Sequence, residues 1–202
     1  MSVASPRRAL CGRCDLPVRT CVCAFIPRVR NEVDVLVLQH PDEVDQAKGT
    51  ARLLRLGLAR CRVLVGEAFD PTALLALLDG DVAGSTLLYP SDTLGGTPTT
   101  LAACRPRRLV VLDGTWRKSL RMLHANPLLQ TLPRWSLSPS GPSRYGALRK
   151  AGLASQLSTL EATCAALRDI ESATTRYEPL LAALDRFVAE RVRFVEAQAR
   201  PQ

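Results

Sequence analysis

Four short apolar runs, each cut off by polar residues and separated by stretches with helical spacing, constrain the fold of this 202-residue chain more than any other feature. Val33 to Gln39 (VDVLVLQ) reads as a buried strand, and Cys61 to Val65, Thr86 to Tyr89 and Arg108 to Leu112 read as three further strands. After the first run, Asp42 is placed to cap a helix reaching about Leu58, with Ala47, Ala51, Leu54 and Leu58 on one face. Asp70-Pro71 opens a second helix, a cap followed by proline in the first turn, and Leu74, Leu75, Leu77 and Leu78 give it a broad apolar face. Arg117 to His124 reads as a third helix. The alternation predicts an α/β fold with a mostly parallel sheet flanked by helices, and such sheets bind ligands outside the carboxyl ends of their strands.

Length and composition predict one main domain with a small appendage, since 47% hydrophobic and 23% charged residues make a globular chain. No run of about 18 apolar residues exists, and MSVASPRRALCGRC lacks the apolar middle of a signal peptide. No membrane association and a cytoplasmic location are therefore expected. Cysteines there stay reduced, so seven of them argue for metal ligation or buried thiols over a disulfide framework.

Four thiols lie within thirteen residues as Cys11-x2-Cys14-x6-Cys21-x-Cys23, with Gly12 and Pro17 allowing tight turns. Such a set closes a tetrahedral sulfur site, and zinc is the metal favoured by ligand softness and geometry; an iron-sulfur cluster or a redox dithiol pair is the alternative. A structural zinc would add folding energy to a segment too short for its own core. Arg7, Arg8, Arg13, Arg19, Arg28 and Arg30 surround it, so the knuckle either grips RNA or caps the domain. Cys61, Cys104 and Cys164 sit among apolar neighbours and read as packing thiols.

The net charge of +8 is local: residues 105 to 150 carry ten basic groups against one acid, Asp113, while the flanking segments are close to neutral. Arginine outnumbers lysine 24 to 3, and planar guanidinium forks suit phosphate. A nucleic-acid surface is the expectation, with a solvated basic face as the bland alternative.

That basic segment contains LVVLDGTW, Leu109 to Trp116, in which an apolar run ends in an acid. Asp113 thus stands at the mouth of a strand. Gly114 lets the backbone approach a ligand, and Thr115 can cap the next helix, whose free amides suit an anion. Asp113 could be a helix cap only, and Trp116, spaced with Leu120 and Leu123, could pack in the core.

Asp113-Gly114-Thr115-Trp116 resembles the DxTW signature of the DTW-domain tRNA-uridine aminocarboxypropyltransferases. Other blocks agree in order: the CxxC and CxC cysteines, LQHP at Leu38 to Pro41, LLYPSD at Leu87 to Asp92, DGTWRKSLRML at Asp113 to Leu123, and LSTLEA at Leu157 to Ala162. The resemblance spans roughly residues 10 to 185. It implies a SPOUT-like fold with a C-terminal knot, a zinc-binding arm over residues 1–31 and a catalytic domain over 32–202. It further implies transfer of the 3-amino-3-carboxypropyl group of S-adenosylmethionine to N3 of a tRNA uridine, releasing methylthioadenosine. Asp113 would then take or steer the N3 proton, or hold the cationic groups of the donor.

The implied donor site comprises Pro90, Ser91, Thr115, Trp116, Tyr145, Leu157, Ser158, Thr159 and Glu161. Ser158 and Glu161 also have capping-box spacing, so a helix starting there is expected without a ligand. Expected RNA contacts are Arg105, Arg107, Arg108, Arg117, Arg121, Arg144, Arg149 and Lys150. The loop SPSGPSRYGALRKAG would be the threaded cover of a knot, or else a flexible connector. His40 reads as a polar turn residue, and Pro179 to Ala199 as an amphipathic helix for packing or self-association. The expected partner is tRNA, with no obligate protein partner evident. A SAM-dependent RNA methyltransferase and a non-catalytic zinc RNA-binding protein are the competing functions.

Overall fold

A computed structural model describes residues 9–91, 105–137, 142–148 and 156–199. Five strands, β1 (Asp34–Gln39), β2 (Cys61–Val65), β3 (Ser85–Leu88), β4 (Arg108–Asp113) and β5 (Arg134–Trp135), form one sheet in the order β2-β1-β4-β3-β5. All four pairings are parallel. The helices are α1 (Ala51–Gly57), α2 (Pro71–Leu77), α3 (Trp116–Ala125), α4 (Pro127–Thr131), α5 (Thr159–Glu171) and α6 (Glu178–Ala199).

Alternating side chains of the central strands feed two cores, as the two-residue repeat of a strand requires. Val35, Val37, Leu109 and Val111 face α1, α5 and α6, together with Leu16 and Val22 of the N-terminal arm. Leu36, Leu38, Val110 and Leu112 face α2, α3 and α4 through Leu74, Leu78, Met122, Leu123 and Leu129. Helix α6 lies so close to α1 that a Cβ on Gly57 would meet Leu180 Cδ1 at 2.5 Å. Its Tyr177-side neighbours Leu180, Leu184 and Phe187 are fully buried, so the C-terminal segment packs within the chain. Among the described residues no helix is long and apolar enough to cross a membrane.

Three expectations need correction. The helix from Asp42 to Leu58 is instead a single 3-10 turn, Pro41–Glu43, and a helix starting only at Ala51. The His40 side chain accepts the Asp42 amide, while the Arg52 guanidinium takes the carbonyls of Val44 and Gln46, which a continuous helix would have used internally. Leu58 is extended and bridges to Val29. Core packing of Trp116 and Leu120 with Leu123 also fails: Leu123 is buried, but Trp116 is 55% exposed. Finally, Arg134, counted with the surface charge, is fully buried on the edge strand β5.

From β1 the chain turns through α1 to β2, on one side; from β4 it turns through α3 and α4 toward β5, on the other, and over the opposite face. The carboxyl ends of β1 and β4 therefore flank a topological switch point, where open α/β sheets leave a crevice.

Candidate active site at the strand carboxyl ends

Gln39 ends β1 and Asp113 ends β4, and the parallel register sets them side by side. Gln39 Nε2 donates to Asp113 Oδ2 at 2.8 Å, and Thr159 Oγ1, in the first turn of α5, donates to Oδ1 at 2.6 Å. The His40 amide closes the same corner on the Asp113 carbonyl. Asp113 is buried, and loss of hydration pushes its carboxyl above the ordinary range, against the two hydrogen bonds that favour the anion. Among the described residues each oxygen uses one of its two lone-pair positions, so the group retains capacity to accept.

Thr115 caps α3 by accepting the Lys118 amide, as expected of a strand-to-helix turn. A Cβ on Gly114 would lie 3.1 Å from Lys118 Cβ and 3.6 Å from His40 Cβ, so any larger residue here would have to push the first turn of α3 outward by a few tenths of an ångström. Trp116 stands out from the α3 amino end, meeting the Tyr89 ring edge-on with centroids 5.7 Å apart. Tyr89, Pro90 and Ser91 continue β3 beside Asp113, and the Ser91 amide donates to Ser136 Oγ after β5. His40 is a polar turn residue, with Nε2 2.8 Å from Glu67.

Ser158 and Glu161 form a complete capping box on α5. Glu161 does more: its carboxylate accepts the Ser143 hydroxyl at 2.9 Å and the Arg144 amide at 2.6 Å as well as the Ser158 amide at 2.8 Å. It ties residues 142–148 to the helix start, and Tyr145 ties them to the turn after β1 through its hydroxyl on the Lys48 carbonyl. Glu161→Gln, which keeps size but leaves a single acceptor oxygen, is expected to lower stability by about 1–3 kcal/mol in denaturant titration. An unchanged midpoint would mean these contacts carry nothing.

The basic residues contiguous in sequence are split in space. Arg117 and Arg121 lie on α3, at the Asp113 end of the sheet; Arg117 makes no ion pair among the described residues and Arg121 binds Glu67. Arg107 and Arg108 lie at the amino end of β4, roughly 16 Å away along the strand, paired to Asp81 and Asp79. Arg105 reaches Ser172. A cavity of about 560 Å³ opens there, but the charges that line it largely pair with one another. Arg144 binds Asp185 at 2.7 Å, and Arg149 and Lys150 lie outside the described residues.

In the N-terminal arm the Sγ atoms of Cys11, Cys14, Cys21 and Cys23 all lie within 4.8 Å of one another. Cys11–Cys23 and Cys14–Cys21 are 3.8 and 3.7 Å apart. A tetrahedron with metal–sulfur bonds of about 2.3 Å has edges of about 3.8 Å, so the thiols fit a zinc ion with little movement. Backbone amides of Arg13 and Cys14 pull the Cys11 thiol down to about 6, whereas burial pushes Cys23 up to about 12. Arg52 donates to the Cys14 carbonyl and thereby links this cluster to the turn after β1.

Gln39, Tyr89, Ser136 and Arg134 were not expected at the site. Gln39 had a local signal, a polar residue closing an apolar strand just as Asp113 does, and Tyr89 lies within the LLYPSD block.

The chain is a parallel α/β protein with a buried acid at its switch point and an exposed indole three residues on. The DTW domain family's profile matches residues 8–192, and the chain belongs to that family. It is similar to tRNA-uridine aminocarboxypropyltransferase 2 of Drosophila melanogaster, 32% identical over 174 residues, which are 82% of this chain and 68% of that protein. The protein of the same name from Mus musculus is 30% identical over 187 residues, 87% of this chain and 61% of its own length. tRNA-uridine aminocarboxypropyltransferase A of Arabidopsis thaliana is 24% identical over 149 residues, 62% of this chain and 54% of its own. The chain thus spans roughly two thirds or less of these proteins. No solved structure is a significant match.

Proposed function

We propose that this protein is a transferase that attaches the 3-amino-3-carboxypropyl group of S-adenosylmethionine to N3 of a uridine in tRNA. The observation that carries the reading is the switch-point acid: Asp113, buried and only partly used as an acceptor, beside the exposed face of Trp116. The names of the relatives supply the reaction class. When bound, the donor supplies a sulfonium-activated carbon: its C–S bond breaks as the N3–C bond forms, methylthioadenosine leaves, and the N3 proton is lost.

The residues present fit such a donor. Pro90, Ser91, Thr115, Trp116, Tyr145, Leu157, Ser158 and Thr159 would hold it, with the Trp116 face favouring a cation. Glu161 would act by fixing residues 142–148. Asp113 accepts or steers the uridine proton, and Thr159 and Gln39 hold its carboxylate in one orientation. Positioning is the rest of the catalysis.

Arg117 and Arg121 border this site and would meet tRNA phosphates first; Arg144, Arg149 and Lys150 flank it in sequence. Arg105, Arg107 and Arg108, at the far end, would contact a different part of so long a substrate. Residues 1–31 would be the zinc-binding arm and 32–202 the catalytic domain, a SPOUT-like fold with a C-terminal knot. The protein works in the cytoplasm, without a membrane or an obligate protein partner. The product separates the reactions: methylthioadenosine is expected, and S-adenosylhomocysteine would mean methyl transfer instead.

A further inference from the structure

Arg134 is the least expected residue of the fold. Its side chain is fully buried, Nη1 makes one 3.3 Å bond to the Leu129 carbonyl, and Nε and Nη2 have no hydrogen-bond partner among the described residues. A guanidinium cannot shed its proton, so its open donors remain charged in a place that excludes water. It is paired in register with Leu87, one residue before the carboxyl end of β3, yet its Cζ lies 5.8 Å from the centre of the Tyr89 ring, beyond that end. The side chain therefore leans toward the strand carboxyl ends. The same ring meets Trp116 edge-on, so Tyr89 touches both the unfilled guanidinium and the indole of the proposed donor site.

Among the described residues, the other cations near this end of the sheet are engaged or exposed. Lys118 binds Glu43 at 2.7 Å, Arg121 binds Glu67, and Arg52 spends its donors on three carbonyls. Arg117 is exposed, where water screens it. A donor that transfers an amino-acid arm must have its carboxylate received, and a buried fork of open N–H groups suits a carboxylate far better than a solvated cation does.

We infer that Arg134 receives the carboxylate of the donor's amino-acid arm, through Nε and Nη2, when the Tyr89 ring gives way. This rests on the donor assignment made above. It makes Arg134 a specificity residue: it admits a donor that carries the carboxylate and disfavours one that lacks it.

The test is calorimetric binding of S-adenosylmethionine and of its decarboxylated analogue to the whole protein and to Arg134→Met. The analogue keeps the sulfonium and the amine. The unmodified protein is expected to prefer S-adenosylmethionine by roughly a hundredfold or more, because a site built to bond a group rejects a ligand without it. In Arg134→Met that preference vanishes, while affinity for the analogue stays within a few-fold. A purely structural role would weaken both ligands together and leave their ratio intact, which overturns the inference. The Met variant is expected to unfold no earlier than the parent in the absence of ligand, since it removes an uncompensated charge; should it fail to fold, Arg134→Gln reads the same ratio. Equal binding of the two ligands by the unmodified protein also overturns the inference, and binding of neither removes the donor assignment itself. If tRNA affinity falls in the variant and the ratio is kept, the anion is a phosphate and the inference is wrong.

Discussion

Asp113→Asn is expected to cut single-turnover transfer to tRNA by roughly a hundredfold to ten-thousandfold, while the fold and the affinity for S-adenosylmethionine change little. The amide keeps the shape of the acid, and the rotatable Thr159 hydroxyl and Gln39 amide can reorient around it. What it cannot do is accept the uridine proton. Burial raises the Asp113 carboxyl, so the parent's transfer rate should climb with pH through a transition above the ordinary value of about 4, a step absent from the Asn variant. Stability moves the other way. The folded protein holds this proton more tightly than the unfolded chain, so the contribution of the neutral acid is complete below about pH 4 and is lost as pH rises through the raised value. The Asn variant has no such loss, and its stability should gain on the parent over that range. Normal transfer in the variant would exclude Asp113 as the base; a large loss of donor affinity would make it an anchor for the donor's cationic groups.

Removal of metal should have the second largest effect. Protein purified without added metal is expected to hold one zinc, and stripping it with a strong chelator to cost at least about 4 kcal/mol in reversible denaturation. The size follows from where the arm packs. Leu16 and Val22 share the core of α1, α5 and α6, and Arg191 and Arg52 of the main body bond the carbonyls of Thr20 and Cys14. Loosening the thiols therefore loosens more than the arm. Cys14→Ala, at the fully buried ligand, should reproduce the loss. An identical unfolding transition with and without chelator would contradict a structural metal, and an iron chromophore would keep the site but replace the ion.

The central strands were legible because strands buried on both faces leave continuous apolar runs, and the polar residue closing β4 pointed to the site. Its surroundings were not legible. The partners of Asp113 are Gln39 and Thr159, distant in sequence and brought together only by sheet register and by the docking of α5. The short elements α4 and β5 are five and two residues long, below the length at which periodicity speaks. The basic segment is divided for a geometric reason: β4 carries its beginning to one end of the sheet and its continuation to the other, and Arg134 within it turns inward. Charge counted along a chain does not register the direction in which a strand runs. The turn after β1 was missed because Arg52 satisfies carbonyls that local spacing assigns to a helix.

The most direct measurement is mass spectrometry of nucleosides from tRNA incubated with the protein and S-adenosylmethionine, with the released nucleoside by-product quantified in the same reaction. Uridine bearing a 3-amino-3-carboxypropyl group at N3, appearing in step with methylthioadenosine and absent without the protein, is the predicted result. Methylated uridine formed with S-adenosylhomocysteine, or tRNA that is bound and left unmodified, would contradict it.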